Sequence, residues 1–379
     1  MSAPTTTTPG STDRADTLHF TPPKGRYYPT FVKHGGSILG LALFTILATW
    51  AWQPYFHGEL ARIMAGLGVA AGLTVLIGLN GQFSLGHGAL MAVSGYTVAI
   101  FQKKFEDVPS LYGWRVVISL AIGVVLAMIA GLIVGVAAAR LRGPYLAGTT
   151  LALALIVPAA ADWWKSLLNS DQGLTLEIDK MPNAVASMHL GQVYVVPLQW
   201  RAWIAIFATV PVIFVLANLV KSRLGRTWRM IRDDEVAAQL AGVNVARTQI
   251  VCFVVSSFAA GVSGGLLAVM SRVANPGTFG INLGLFLLLG IVIGGIGSLW
   301  GALWGSILVV AIPDYLTAKV QDWTNGNNVL YGRFNGNLAL VLFGAALIIV
   351  ILFAPGGIQS FINRVIAWAK RGFQQRASG

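Results

Sequence analysis

Apolar runs recur along this chain at about the length of a membrane crossing. A crossing takes about 20 apolar residues, with roughly 17 to 25 tolerated. On that measure the sequence predicts spans near residues 35–52, 60–79, 84–101, 115–139, 145–161 and 201–220, then 249–270, 284–299, 301–318 and 337–354. The expected fold is therefore all-α: a polytopic transmembrane helix bundle of about ten spans. The stretch Leu283 to Leu316 could hold one long span or two short ones, and parity decides between them. The loop with Arg140 and Arg142, the loop from Lys221 to Arg247, and the tail with Arg364, Lys370, Arg371 and Arg376 all carry a basic excess, which places each in the cytoplasm. Only an even number of spans after residue 247 returns the tail to that side, so two spans are expected, broken near Gly294 to Gly301. Lys24, Arg26 and Lys33 precede the first run and place the N-terminus in the cytoplasm as well.

The same topology puts Gln102–Gly113, Trp163–Trp200, a short turn at Arg272–Leu283, and Thr317–Asn337 outside. Three segments follow: a disordered tail over residues 1–33, rich in Thr, Pro and Ser; a membrane domain over 34–358; and a basic tail over 359–379. Val365, Ile366, Trp368 and Phe373 among the basic residues of that tail suit an interfacial helix on the inner leaflet, and a disordered basic tail is the alternative.

Composition agrees with the pattern, since the 379 residues are 55% hydrophobic and only 11% charged. A formal charge of +12 could suggest nucleic acid, but the basic residues lie between and beyond the apolar runs, so the positive-inside rule accounts for them and no nucleic-acid partner is expected. Cys252 is the single cysteine and lies in an apolar run, which excludes an intrachain disulfide and a thiolate metal site. Many of the 44 glycines are spaced by four, as at Gly36/Gly40, Gly68/Gly72, Gly131/Gly135, Gly261/Gly265, Gly290/Gly294 and Gly297/Gly301/Gly305. Such faces let helices approach closely in lipid. Two halves of about five spans invite an inverted repeat, but glycine breaks at 80–88 and 294–301 do not occupy matching positions in them.

The charge that does exist is concentrated, for nine of the 27 residues from Lys221 to Arg247 are charged. Within that block, Asp233, Asp234 and Glu235 precede Val-Ala-Ala-Gln-Leu-Ala and then Gly242. Carboxylates favour a helix N-terminus and glycine suits the left-handed residue that ends one. A two-turn helix outside the bilayer is expected, suited to gripping a soluble partner. An ordinary cytoplasmic loop explains the basic residues but not the clustered acids.

The run Asn80-Gly-Gln-Phe-Ser-Leu-Gly-His-Gly88 is the most polar interruption of the apolar part. Ala89 to Phe101 is too short to cross, so part of this run is expected at membrane depth, where irregular backbone must be buried in protein or line a cavity. Asn80, Gln82, Ser84 and His87 are thus candidates for a substrate path; the alternative is a break whose polar groups satisfy one another. His87 has no second His, Cys or carboxylate nearby in sequence, which argues against a metal site. No Asp, Glu, Lys or Arg falls in the middle of any expected span, which counts against ion coupling. The chain also lacks GxxxxGK[ST], HExxH and GxSxG patterns, so any ATP that drives it is bound by another polypeptide.

The order and spacing of several motifs resemble the branched-chain amino acid permease subunits of bacterial ABC importers, in particular the LivM branch. They are Gly78-Leu-Asn-Gly-Gln-Phe-Ser-Leu-Gly-His-Gly-Ala-Leu90, Ala139-Arg-Leu-Arg-Gly-Pro-Tyr-Leu146, Gly225-Arg-Thr-Trp-Arg-Met-Ile-Arg-Asp-Asp-Glu-Val-Ala-Ala238, Gly294-Gly-Ile-Gly-Ser298 and Ala354-Pro-Gly-Gly-Ile358. The resemblance implies the ABC importer permease fold in a bacterial inner membrane. It also implies a second permease of the LivH type, two ATPase subunits that bind ATP and magnesium, and an extracytoplasmic binding protein. No cofactor is implied in this chain and no catalytic role, hydrolysis being the ATPases' work. The loop 221–247 is similar to the coupling element that docks on the ATPase, with Asp233, Asp234, Glu235, Ala237, Ala238 and Gly242 as the docking helix. The family's Glu-Ala-Ala pattern is out of register here, because Val236 holds the glutamate position. The implied substrates are branched-chain amino acids, with urea or short amides as the alternative. An ATP-independent secondary carrier and a membrane scaffold are the readings from other classes.

Overall fold

The computed structural model describes residues 30–51, 54–108, 114–141, 144–176, 193–311 and 356–377, with isolated residues between 185 and 190 and between 315 and 352. Residues 1–29 of the expected tail, most of the expected span at 337–354 and all of the expected external loop at 317–337 lie outside the described residues. Helices dominate what is described: α1 (Thr30–Ala51), α2 (Pro54–Leu73, continued by a π-helical turn Thr74–Leu79), α3 (His87–Lys104), α4 (Arg115–Ala138) and α5 (Pro144–Trp163). After a short α6 (Lys165–Leu168) come α7 (Pro197–Lys221), α8 (Arg223–Asp233), α9 (Glu235–Leu240), α10 (Val245–Ser271), α11 (Ile281–Gly294), α12 (Leu299–Ser306, continued by a π turn Ile307–Ala311) and α13 (Gly357–Ala377). Four two-residue strands form two antiparallel pairs. The segments Phe56–Leu79, Arg115–Ala138, Tyr145–Trp163, Pro197–Lys221 and Val245–Ser271 are long and apolar enough to cross a membrane, and Ile38–Leu47, Ile281–Gly294 and Leu299–Val310 are shorter apolar helices.

The differences from expectation are local. α1 starts at Thr30, inside the expected disordered tail, because Thr30–Lys33 is a helix-compatible turn joined to an apolar run. The expected spans at 84–101 and 284–299 begin instead at His87 and Ile281, in helices of 18 and 14 residues.

α10 is the central pillar. It packs on α2, α3 and α4, and small residues set the approach at each contact. A Cβ on Gly72 would lie 2.7 Å from Ala259 Cβ, and one on Gly261 would lie 2.9 Å from Ala127 Cβ. A Cβ on Gly131 would overlap Ser257, and one on Gly264 would overlap the Met91 carbonyl. Gly290, Gly294, Gly301 and Gly305 join α11 to α12 in the same way. Gly36 and Gly40 share the spacing yet face nothing within 4 Å.

Contact order along the helices fixes their directions. Gly68 meets Ser263 and Gly72 meets Ala259, so α2 and α10 are antiparallel. His87 meets Ser256 and Gly264 meets Met91, so α3 runs parallel to α10. A long helix, an irregular break and a short helix therefore occur twice in opposite senses: α2, residues 80–86, α3; and α10, residues 272–280, α11. The counterpart of the first break is 272–280 rather than 294–301. Of the expected external turn at Arg272–Leu283, the start is exposed at the end of α10. There Val273–Ala274 pairs with Leu174–Thr175, and Leu176 N–H donates to Arg272 O at 2.8 Å. The chain then turns inward, so that a Cβ on Gly88 would lie 2.6 Å from Phe279 O and one on Gly284 would lie 2.5 Å from Leu85 O. The two breaks meet inside the bundle.

Candidate functional site

The first break is held from three sides. The π turn at the end of α2 widens the helix, and Asn80 caps it with its backbone N–H donating to Ile77 O. Gly81 follows with φ +72°, a conformation that costs glycine nothing. Leu85 N–H donates to Thr150 Oγ1 of α5 at 3.1 Å, and Gly86 lies close enough to Thr150 that a Cβ would be 2.5 Å from its carbonyl. His87 then opens α3 with no exposure at all and ties the break to the central pillar. Its Nδ1 hydrogen-bonds Ser84 Oγ at 2.9 Å and its Nε2 hydrogen-bonds Ser256 Oγ of α10 at 2.7 Å. A neutral imidazole has one donor and one acceptor, and each hydroxyl can serve as either, so both tautomers satisfy this chain. The Phe253 ring stands 5.9 Å from the imidazole.

The four expected path residues are all buried, but they divide into two pairs. Ser84 and His87 are joined to each other and to Ser256, as in a break whose polar groups satisfy one another. Asn80 and Gln82 are buried without that satisfaction: neither amide atom of Asn80, nor the Gln82 carbonyl oxygen, has a protein partner. Buried amides left this way are the ones available to water or a polar solute. None of the four lines the cavity of about 390 Å³ between α1, α2, α7 and α12, whose walls include Met64, Leu67, Ile206, Val210 and Leu303.

The charged block folds into two helices rather than one. Ser222 Oγ caps α8 by accepting from Gly225 N–H at 3.4 Å, and the fully buried Trp228 anchors it, its Nε1–H donating to Thr248 O at 3.2 Å. Asp233 ends α8, so it lies outside the helix that the sequence assigned to it. Asp234 caps α9, its Oδ1 accepting from Val236 N–H at 2.8 Å and Ala237 N–H at 3.0 Å. Gly242, at φ +83°, turns the chain beyond the end of α9. Ala238 packs inward on Ile231 and Val245, while Ala237 is exposed and Glu235 half-buried. The outer edge of this otherwise charged element is apolar, with Val236 65% and Leu240 85% exposed.

Arg232 joins the two sites. Its Nη1 donates to Gly78 O, in the π turn of α2, at 2.5 Å. Its Nη2 and Nε donate to Asp233 Oδ1 at 3.0 and 3.2 Å, and its Cγ would stand 3.0 Å from a Cβ on Gly81. Sequence reasoning counted this residue only as one of many basic charges. Thr150, Ser256 and Gly78 were likewise missed as partners of the break. The signal for Ser256 was present, since adjacent serines at 256 and 257 interrupt an apolar span.

Residues 60–351 match the family described as the branched-chain amino acid transport system permease component. The chain is 26% identical over 313 residues to the high-affinity branched-chain amino acid transport system permease protein LivM of Escherichia coli K12, a match covering 76% of this chain and 66% of that protein, just under two thirds of its length. It is 25% identical over 346 residues to the LivM protein of Salmonella typhimurium, covering 84% of this chain and 73% of the relative. The LivH permease protein of Escherichia coli K12 is 26% identical over 321 residues, covering 81% of this chain and 94% of the relative. No solved structure matches the chain.

Proposed function

The chain belongs to the family of branched-chain amino acid transport system permease components, and on that premise we propose that it is the LivM-type membrane subunit of an ATP-driven importer in a bacterial cytoplasmic membrane. Its substrates are branched-chain amino acids handed over by an extracytoplasmic binding protein. It pairs with a second, LivH-type permease, and two ATPase subunits supply the ATP and magnesium chemistry. Both chain ends lie on the cytoplasmic side with α8 and α9, and the bundle crosses the membrane ten times.

The observation that carries this reading is the Arg232 Nη1 to Gly78 O bond, because it connects a partner-facing helix pair to the polar break. α9 offers a partner its exposed apolar edge at Val236 and Leu240 on an element capped by Asp234 and folded around Trp228. Motion imposed on that edge passes through α8 to the π turn of α2, and so to Asn80 and Gln82. Alternating access then follows if nucleotide on the ATPases and solute in the bundle each favour one of two arrangements.

The test avoids the capping residue, since replacing Asp234 would unravel α9 itself. Val236→Arg with Leu240→Arg places two charges on the exposed edge without touching the buried face. The double variant should insert in the membrane and pair with its sister permease, yet lose ATPase copurification and uptake. Normal assembly and transport would exclude α9 as the docking element.

A further inference from the structure

α13 is a 21-residue helix that is seated only at its first turn. Ile358 packs on the small cluster of Ile293 and Leu308, and Trp304 Nε1–H donates to Gln359 Oε1 at 3.1 Å. Gly357 lies against the turn after α11, where a Cβ would stand 2.5 Å from Gly295 Cα. Past that turn Phe361 (55%), Val365 (47%) and Ile366 (47%) are exposed.

The sequence of α13 is not that of a helix built for water. Ile358, Phe361, Ile362, Val365, Ala369 and Phe373 recur at three- and four-residue spacing and form one stripe. By the same helical spacing Asn363, Arg364, Lys370, Arg371 and Gln374 fall on the opposite side, whereas Arg376 falls at the far end of the stripe itself. Residues 357–379 contain four basic residues and no Asp or Glu. The position of the helix is fixed by its seat, for the turn that holds Gly357 also holds Gly297, which packs on Gly78 beside Arg232. α13 therefore leaves the bundle at the same end as α8 and α9.

We propose that α13 lies along the membrane surface at that end and binds anionic lipid headgroups, its apolar stripe in the acyl boundary and its basic side against the phosphates. The charge selects the occupant: a stripe without charge would take any bilayer, whereas a polar face whose charges are all basic favours an acidic one. The seat makes the contact consequential, because a helix drawn to the lipid surface pulls on the turn at Gly295–Gly297, one contact away from Gly78 and Arg232.

The test uses the full chain with Cys252→Ala and Phe373→Cys, labelled at residue 373 with an environment-sensitive fluorophore and reconstituted in nanodiscs. The discs are phosphatidylcholine with or without about a third phosphatidylglycerol, an acidic content at which each basic residue strengthens binding roughly fivefold. Nitroxide-labelled lipid should quench the probe strongly in acidic discs and weakly in neutral ones, and salt should reverse the quenching. Arg364→Gln with Lys370→Gln and Arg371→Gln should weaken the acidic-disc signal roughly fivefold per charge removed. These three positions lie outside the seat, so elution and helix content should not change. Equal quenching in both lipids, or none in either, would overturn the proposal. So would a probe that becomes shielded only when ATPase subunits are added, which would make α13 a protein contact.

Discussion

Arg232→Ala isolates the link between α8 and the polar break. The side chain gives one hydrogen bond to Gly78 O at 2.5 Å and pairs with Asp233, with side-chain exposures of 42% and 67% for the two partners. A charge-assisted hydrogen bond contributes about 1.5–3 kcal/mol when well protected. Exposure reduces this, and the Asp233 pair adds little for the same reason, so about 1–2 kcal/mol is the reasonable loss. If the bond is made in only one of the two arrangements of the bundle, that energy shifts their ratio by roughly five- to thirtyfold. The assay is the reconstituted complex, with ATP hydrolysis measured with and without loaded binding protein, and uptake measured per ATP consumed. The ATPases should copurify normally, because the edge at Val236 and Leu240 is untouched. Stimulation by the binding protein and uptake per ATP should both fall by that factor. Arg232→Lys should recover part of the loss, since an ammonium can reach one carbonyl but cannot hold Asp233 at the same time as a planar fork does. An intact complex with wild-type uptake per ATP in the alanine variant would refute the link.

Four other substitutions, one of them with a control, separate solute contact from packing. Asn80→Ala removes an amide that lacks a protein partner and Gln82→Ala a carbonyl oxygen that lacks one, so uptake should drop while membrane abundance stays level; unchanged uptake would take both out of the path. Ser256→Ala leaves one His87 nitrogen buried and unpaired, at a cost of about 1–3 kcal/mol. This should appear as a lower melting temperature in detergent, and an unshifted melt would show that the bond carries no stability. Gly264→Ala puts a methyl group into the Met91 carbonyl, whereas Gly148→Ala meets nothing within 4 Å. Only the first should abolish accumulation of the folded chain, and equal levels would mean that α3 and α10 are not in close contact.

The sequence showed the long apolar helices clearly, because apolar residues in runs of this length have one stable home. It also showed the first break, since Asn80 to Gly88 is too polar and too rich in glycine to continue a lipid-facing helix. The second break was not legible. Arg272 to Gly280 contains Asn275, Pro276 and Gly277, which signal a turn but carry no information about depth. Only the packing of Phe279 on Gly88 and Gly95 reveals that this turn re-enters the bundle. Side-chain partnership was hidden for a related reason. His87 and Ser256 are 169 residues apart, and nothing local distinguishes a hydroxyl that meets an imidazole from one that bonds back to its own helix, as Ser257 does to Phe253 O. The charged block was read correctly as holding a short helix, but its start was misplaced. Asp233, Asp234 and Glu235 look equivalent in sequence, and only geometry makes the first a helix end, the second a cap and the third a first-turn residue.

The way the two sites are joined also constrains how they can move. At Gly78 the neighbours meet main chain: Arg232 bonds the carbonyl, and a Cβ would stand 2.5 Å from Gly297 N and 2.6 Å from Gly297 Cα. A side-chain contact can absorb a shift of an ångström by changing rotamer, but a backbone contact without intervening side chains cannot. A displacement of α8 that the Arg232 side chain does not absorb must therefore be met within the π turn itself or passed on to the Gly295–Gly297 turn. The π turn is the weaker of these, because its wider ring of hydrogen bonds stores one extra residue in the helix and can relax towards α-helical register. Relaxing it would rotate Asn80, which caps it, relative to the fixed unit of Ser84, His87 and Ser256. In such a movement the satisfied pair would be the anchor and the unsatisfied pair the part that moves.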